Sequence, residues 1–440
     1  MGSNEINIDF FENCVLKKNN QYPNLYILSN QYKKFDRSGT ALIKISIFDK
    51  EERGTIQKDR YLVNQVLKVL MEVKSVEEKK ALIDKLGLDP KEKRAIGSML
   101  GMAIGDAMGA RYEFLPCRYD KQDLFDMGSK DFSNFGMEPG QWTDDASMGL
   151  CLADSLIMNK GVLDQHDLMK RFLCWWNGGY NNAFRFQSSP RHSVGLGGNI
   201  SLSFKEYKKH QTPETKAGDE NTSGNGSLMR NAAVPICFYY DMKLACDMAR
   251  KQSLVTHQGK EARECCALLT HIIVKIFNNE PLLQILDNLG KTFEAKVDSV
   301  KYLASHKQEG NDENRNWDWT VPQYHYSPER SHKHPGYVGS YAMDNMAMSL
   351  NTIYNTKNFK DALIRIVNIR GDSDSLASVV GQIAGAYYPI EEIPGDWIKA
   401  IYQWDHGDIA LKGYMLSRLK DRKSFASAAT RRATLQQFVW

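Results

Sequence analysis

Two short acidic stretches hold the residues best suited to chemistry. The first is Trp142-Thr143-Asp144-Asp145, followed by helical spacing from Ala146. The second is Gly371-Asp372-Ser373-Asp374-Ser375, followed by helical spacing from Leu376. Each sets clustered carboxylates and a hydroxyl at the start of a helix. Capping alone asks for one Asp, Ser or Thr, which accepts a bond from a free N–H and complements the helix dipole. Two packed carboxylates repel unless a cation joins them. Together the stretches offer four carboxylates and two hydroxyls, an all-oxygen set that suits hard divalent cations, Mg²⁺ with some waters best. Two such ions about 3.5–4 Å apart can orient a substrate and activate a water. Distance along the chain is no obstacle, because ligands in a helical bundle come from facing helices.

Three further elements have weaker signals. Gly105-Asp106-Ala107-Met108-Gly109-Ala110-Arg111-Tyr112-Glu113 has glycines at packing spacing, and its Glu113 falls just past the helix. A lone Glu is ordinarily a surface residue, but this one could reach a site between helices. Gly224-Asn225-Gly226-Ser227-Leu228-Met229-Arg230 is a Gly/Asn loop opening a helix, able to cradle phosphate with backbone N–H groups. It is not a GxxxxGK[ST] loop. Thr256-His257-Gln258-Gly259 is a polar turn before an apolar helix, which by itself reads as a cap with a surface His.

The elements that must position these residues are helical. Segments 146–159, 260–277, 281–293, 344–354, 360–369 and 375–388 space apolar residues by three and four, and convincing alternating strands are absent beyond residue 95. This predicts an all-α bundle over 96–420. Gly101, Gly105 and Gly109 fall on one face, as do Gly381 and Gly385. Such stripes let helix backbones approach closely. Before the bundle, 24–30 and 41–48 read as short strands, 59–73 as a helix, and Ser75 with Glu78 as a capping box whose helix Gly87 and Pro90 end. Residues 1–95 are thus expected to form a small α+β appendage, and 421–440 a basic tail. Two long polar segments, 177–228 and 305–336, interrupt the helices. Loops of that length are usually functional or disordered, and the aromatics of the second argue against disorder. Its histidines match no zinc spacing.

Composition narrows the class. The chain has 440 residues, 42% hydrophobic and 25% charged, which excludes a mostly disordered chain. No 18-residue apolar run occurs, so no membrane-spanning helix is expected, and Met1–Phe10 has no apolar leader segment. The net charge of +4 resides in residues 1–95, which is no nucleic-acid footprint. Eight cysteines without a C-x-x-C pair read as core thiols of a reducing, cytoplasmic compartment. A bacterial effector acting in a host cytoplasm fits the same features.

Taken in order, GDAMGARYE, TDDASM, GNGSLMR, THQG and RGDSDS resemble the motifs of the ADP-ribosylglycohydrolase family over roughly residues 95–400. The resemblance implies a helical fold around a central two-magnesium cleft. It implies Thr143, Asp144, Asp145, Asp372, Asp374 and Ser375 as metal ligands. It implies Gly224, Asn225, Gly226, Ser227, Met229 and His257 on the diphosphate and adenosine side of ADP-ribose, with Asn199 and Tyr337 as further contacts. Glu113 would sit near the distal ribose, and Asp145 or Glu113 would take a proton from the attacking water. The implied activity is Mg²⁺-dependent removal of ADP-ribose from modified protein side chains, arginine first and serine or another O-linkage as the alternative. A binding module without turnover and a hydrolase of free nucleotide-sugar conjugates are the competing readings. Two departures stand out: Arg370 replaces the first Gly of the family's GGD, and Leu196-Gly197-Gly198-Asn199 replaces Asp-Ile-Gly-Asn.

Overall fold

A computed structural model describes residues 50–119, 127, 135–185, 187, 192–216, 222–325 and 339–419. The expected strands at 24–30 and 41–48 and the tail at 421–440 lie outside these residues. Among the described residues there are helices and isolated bridges but no sheet, which is the expected all-α class.

Two helices form the axis of the molecule, α3 (Pro90–Gly109) and α15 (Ser373–Tyr387). Both are apolar or small around nearly their whole circumference, the signature of a helix buried on all sides. They run antiparallel and touch backbone to backbone. A Cβ on Gly97 would lie 2.1 Å from Gly385 O, on Gly101 2.0 Å from Gly381 O, and on Gly105 2.1 Å from Ala377 O. At the end of the stripe a Cβ on Gly109 would lie 2.3 Å from Ser373 O. No side chain fits between them, so the register is set by the α15 backbone carbonyls facing the α3 glycines. The predicted stripe therefore extends one turn further, to Gly97.

The other helices wrap this pair. They are α1 (Lys50–Met71), α2 (Val76–Asp84), α4 (Asp144–Met158), α5 (Gln165–Gly178), α6 (Gly198–His210), α7 (Ala233–Phe238), α8 (Met242–Ser253) and α9 (Lys260–Phe277), then α10 (Leu282–Asp287), α11 (Leu289–Thr292), α12 (Asp298–Ala304), α13 (Ala342–Tyr354) and α14 (Phe359–Ile369). After α15 come α16 (Gly395–Asp405) and α17 (Asp408–Ser417). The segment 281–293 splits into α10 and α11 at Asn288, whose φ of −105° and ψ of 8° are not helical. Helix α6 arises inside a stretch read as a polar loop. Its Ile200, Phe204 and Tyr207 are buried at helical spacing, while exposed lysines dilute the pattern.

The described end of the N-terminal segment shares the bundle's core. Val63, Val66, Leu67 and Leu70 of α1 are buried against α16 and α17. The capping box is present: Glu78 N–H donates to Ser75 Oγ at 3.2 Å and Ser75 N–H to Glu78 Oε2 at 2.9 Å. Pro90 does not end that helix but opens α3, behind an Asp89 cap. Trp317 and Trp319 of the aromatic segment are fully buried, and Trp319 Nε1 donates to Leu303 O at 2.7 Å.

Gly101→Ala should cost about 3 kcal/mol by forcing the axial helices apart. Gly54→Ala, in α1 with nothing within 4 Å of the new methyl, should gain up to about 1 kcal/mol from helix propensity. Denaturant unfolding of the two variants checks this; equal effects would contradict backbone contact as the axial constraint.

Candidate active site

The glycine register decides what meets at one end of the axis. It lays the last turn of α3, with Asp106, beside the first turn of α15, with Asp374. Glu113 follows α3 and pairs as an isolated bridge with Gly371. Ser373 Oγ donates to Gly109 O at 2.7 Å, pinning the junction.

Helix α4 delivers the other acidic stretch, and its cap is not its own. Thr143 stands at the cap position without a side-chain capping bond. Asp106 does that work from α3: Oδ1 accepts Thr143 N–H and Thr143 Oγ1–H, and Oδ2 accepts Ala146 N–H, each at 2.8 Å. The dipole of α4 is thereby complemented by another helix, and Asp144 and Asp145 are left for other work. Behind them Trp142 Nε1 donates to Asn181 O at 3.1 Å. Asn181 is held by a fully buried ionic group in which Lys412 Nζ lies 3.1 Å from Asp154 Oδ2 and 2.9 Å from Asp408 Oδ2.

Six carboxylates converge: Asp106, Glu113, Asp144, Asp145, Asp372 and Asp374, all buried. Oxygens of Asp106, Asp145 and Asp374 lie within 4.8 Å of one another, and so do oxygens of Glu113, Asp372 and Asp374. Asp374 belongs to both sets. Thr143 Oγ1 lies 3.3 Å from Asp374 Oδ2 and 3.4 Å from Asp145 Oδ2. Burial first, and then the neighbouring carboxylates, push Asp106, Glu113, Asp144, Asp145 and Asp372 above the usual carboxylate range. Asp374 is raised by burial despite hydrogen bonds that work against it. Asp145 Oδ1 is buried with no hydrogen-bond partner. An ionised cluster of this kind is stable only with cations among its oxygens, and the all-oxygen donor set fits hard divalent cations.

The remaining expected ligands stand at its edge. Asp144 packs against the loop at Gly195, where a Cβ would lie 2.0 Å from Asp144 Oδ1. Ser375 Oγ donates to Met229 Sδ at 3.5 Å, tying α15 to the Gly/Asn loop. Asp106 is the residue sequence reasoning passed over, absorbed into the glycine motif. Its signal was available: an acidic side chain midway along a helix otherwise built of glycine, alanine and methionine.

The Gly/Asn loop closes a second wall. Asn225 Nδ2 donates to Asp372 Oδ2 at 2.9 Å and to Gly339 O at 2.8 Å. Gly224 forms an antiparallel bridge with Tyr341. Ser227 faces inward, accepting from Ser253 Oγ at 2.7 Å. Asn199 Nδ2 donates to Thr222 O at 3.4 Å and stands 3.6 Å from a Cβ placed on Gly224. Tyr337 lies outside the described residues.

His257 is not on the surface. It is buried under the loop, and a Cβ on Gly226 would lie 2.6 Å from its Cε1 and 2.9 Å from its Nε2. Burial, and then the Arg230 charge, push its pKa down to about 3, so the ring is neutral. Its tautomer follows from the neighbours. Arg230 Nη1 donates to Thr256 Oγ1 at 2.8 Å, so the Thr256 hydroxyl keeps its own proton for His257 Nδ1, 2.9 Å away. Nε2 then carries the hydrogen and presents a neutral donor toward Gly224 and Gly226. Arg230 is fully engaged in this support, with Gln252 Oε1 at 3.0 Å and the Phe172 ring beneath it.

The geometry is a cluster of carboxylates beside a glycine loop and a neutral imidazole N–H. The sequence and the fold also resemble those of known proteins. The ADP-ribosylglycohydrolase sequence profile matches residues 88–429. The chain is 28% identical over 323 residues to an ADP-ribosylarginine hydrolase of Serratia proteamaculans (strain 568), covering 70% of this chain and 75% of that protein. It is 25% identical over 310 residues to the ADP-ribosyl-dinitrogen-reductase glycohydrolase of Rhodospirillum rubrum, covering 70% of this chain and 90% of that one. A solved structure described as an ADP-ribosylglycohydrolase-related protein complex superposes with a TM-score of 0.55 at 28% identity, over 75% of this chain and 100% of that chain. With the profile spanning every motif that builds the cluster, the chain belongs to the ADP-ribosylglycohydrolase family of hydrolases.

Proposed function

We propose that the protein removes ADP-ribose from arginine side chains of modified proteins, with two Mg²⁺ ions in the carboxylate cluster. The observation that carries this reading is Asp374, common to two sets of carboxylate oxygens. The arginine linkage is favoured by the relatives at 28% identity, which are named for it in Serratia and in Pseudomonas putida (strain GB-1). When bound, divalent cations supply Lewis acidity and bring the clustered carboxylates into their ionised form.

The chain's own groups then divide the work. Thr143, Asp145, Asp374 and Asp106 form one side of the cluster, and Glu113, Asp372 and Asp374 the other; Asp144 and Ser375 complete the expected donor set. The Gly224–Gly226 loop and His257 Nε2–H bind the diphosphate, a fit of neutral and backbone donors to an anion. Asn199, Ser227, Met229 and Tyr337 complete the proposed ADP-ribose contacts. Asp145, with its open Oδ1, accepts the proton of the attacking water. The water oxygen bonds to the anomeric carbon as the carbon–nitrogen bond to the guanidine breaks. Glu113 and its acidic neighbours stabilise the positive character at the ribose.

Arginine- and serine-linked ADP-ribosyl peptides test the reading directly. Release from the arginine peptide in Mg²⁺, and none in EDTA, is expected; release from the serine peptide alone would move the assignment to O-linked substrates. Asp374→Asn should lower kcat at least about a thousandfold by disrupting both sets at once. Its melting temperature in EDTA should not fall, because one member of a repelling cluster is gone. Near-normal turnover in that variant would refute the shared-carboxylate site. His257→Phe should weaken ADP-ribose binding about tenfold through loss of one donor. In the unsubstituted protein, calorimetry from pH 5 to 8 should show no titration of this affinity near 6.5, since His257 protonates only near 3.

A further inference from the structure

The first part of the polar aromatic segment folds on itself as a short hairpin after α12. Gln308 and Asn316 form an antiparallel bridge, and Glu309 N–H donates to Arg315 O at 2.9 Å. The hairpin buries Arg315, 2% exposed, together with Trp317. The guanidinium lies over the Trp317 ring, 4.9 Å from its centroid. Glu309, on the same hairpin, accepts from Arg315 Nε at 2.8 Å.

The other two nitrogens of the guanidinium reach beyond the hairpin. Arg315 Nη1 donates to the Tyr341 hydroxyl at 2.8 Å, and Nη2 to Glu261 Oε1 at 2.9 Å. The Tyr341 hydroxyl in turn donates to Glu261 Oε2. The three side chains therefore close a ring, each bonded to the other two. Burial, and then the Glu261 charge, push the Tyr341 phenol up, so it keeps the proton that it donates. Hydrogen bonds with an ionised partner are roughly twice as strong as neutral ones, and the planar fork fixes direction as well as distance.

The ring joins the two elements proposed to bind the diphosphate. Tyr341 lies in the chain paired with the Gly/Asn loop: Asn225 N–H donates to Ser340 O and Ala342 N–H to Ser223 O, both at 2.8 Å. Glu261 lies in the first turn of α9, four residues after His257. Between them Gly259 packs so closely that a Cβ there would overlap Ser223 Oγ. The loop and the imidazole come from different stretches of chain, and Arg315 ties both stretches to a third.

We propose that Arg315, Glu261 and Tyr341 form a clamp by which the aromatic segment sets the spacing of the Gly/Asn loop and His257, which makes them positioning residues for ADP-ribose. The identity of that ligand rests on the activity proposed above; the hold of the clamp on the loop does not. The clamp reaches the reaction through the loop, so it governs ligand affinity before it governs turnover.

The test uses Tyr341→Phe in the full chain, which removes the shared hydroxyl and keeps the ring. Calorimetry in Mg²⁺ should show ADP-ribose bound about tenfold more weakly. On an ADP-ribosyl-arginine peptide KM should rise about tenfold, with kcat within about threefold of the unsubstituted value. Tyr354→Phe, which removes a hydroxyl from the far end of α13, should leave both constants unchanged. Glu261→Gln should weaken ADP-ribose to a similar degree. The double variant should be no weaker than either single one, the sign of residues acting as one unit. Hydrogen exchange adds a readout without ligand: the Asn225 and Ala342 amides should exchange faster in Tyr341→Phe, while the Ala146 amide held by Asp106 should not change. Unaltered ADP-ribose affinity in Tyr341→Phe, or losses that add in the double variant, overturns the proposal. ADP-ribose binding without release from any peptide would refute the proposed activity and leave the clamp standing. If the unsubstituted protein bound no ADP-ribose, the proposed ligand would fall, and unchanged exchange at Asn225 and Ala342 would refute the clamp as well.

Discussion

The contact between the backbones of α3 and α15 is the constraint on which the rest depends. Four successive turns of α3 present Gly97, Gly101, Gly105 and Gly109, and α15 answers with Gly385, Gly381, Ala377 and Ser373. Carbonyl oxygens occupy the space where methyl groups would stand, so neither helix can slide by a turn without a clash. Glycine in a helix costs about 1 kcal/mol relative to alanine, a cost offset by close packing along the whole interface. The result is positional. The last turn of one helix and the first turn of the other are held at a fixed offset, and both bear carboxylates.

That offset concentrates negative charge where a folded protein alone would avoid it. Asp106 caps α4 from outside, and this frees the two aspartates at the head of α4 from capping. Asp372 is steadied by Asn225, and Asp374 lies between two oxygen clusters. Burial and mutual repulsion raise these groups together, which is an energetic penalty that cations reverse. The site is therefore destabilising when considered as protein only and favourable when considered as a ligand cage. The supporting groups are neutral or internally compensated: His257 uncharged, Arg230 locked to Gln252 and Thr256, and Lys412 balanced between Asp154 and Asp408.

The N-terminal helix takes part in this support. Arg60 Nη2 of α1 lies 3.3 Å from Asp408 Oδ1, in the same buried ionic group that holds Asn181 and, through it, Trp142. Helix α1 precedes the span matched by the family profile. The aromatic segment is held in the core as well. Trp317 and Trp319 fix it there, and its Tyr324 and His325 line a cavity together with Arg118 and Arg365.

Much of this was legible in residues taken one stretch at a time. Periodicity located α9 and α14 to within a residue, and the capping box at Ser75 and Glu78 lies where local chemistry dictates. The acidic motifs, the Gly/Asn loop and the Thr-His pair were each visible as short patterns, and their joint order pointed to the family. What the chain could not disclose was who caps whom and which charges meet. Asp106 looked like part of a packing motif because its partners, Thr143 and Ala146, are distant in sequence. His257 looked exposed because burial under Gly226 is decided by a loop that folds over it. Helix α6 hid among lysines because the neighbours that bury Phe204 and Tyr207 come from elsewhere. Local propensity and motif chemistry act within a few residues of the chain. Burial, like-charge repulsion and the sharing of Asp374 between two oxygen sets depend on distances through space, and those exist only once the glycine faces have closed.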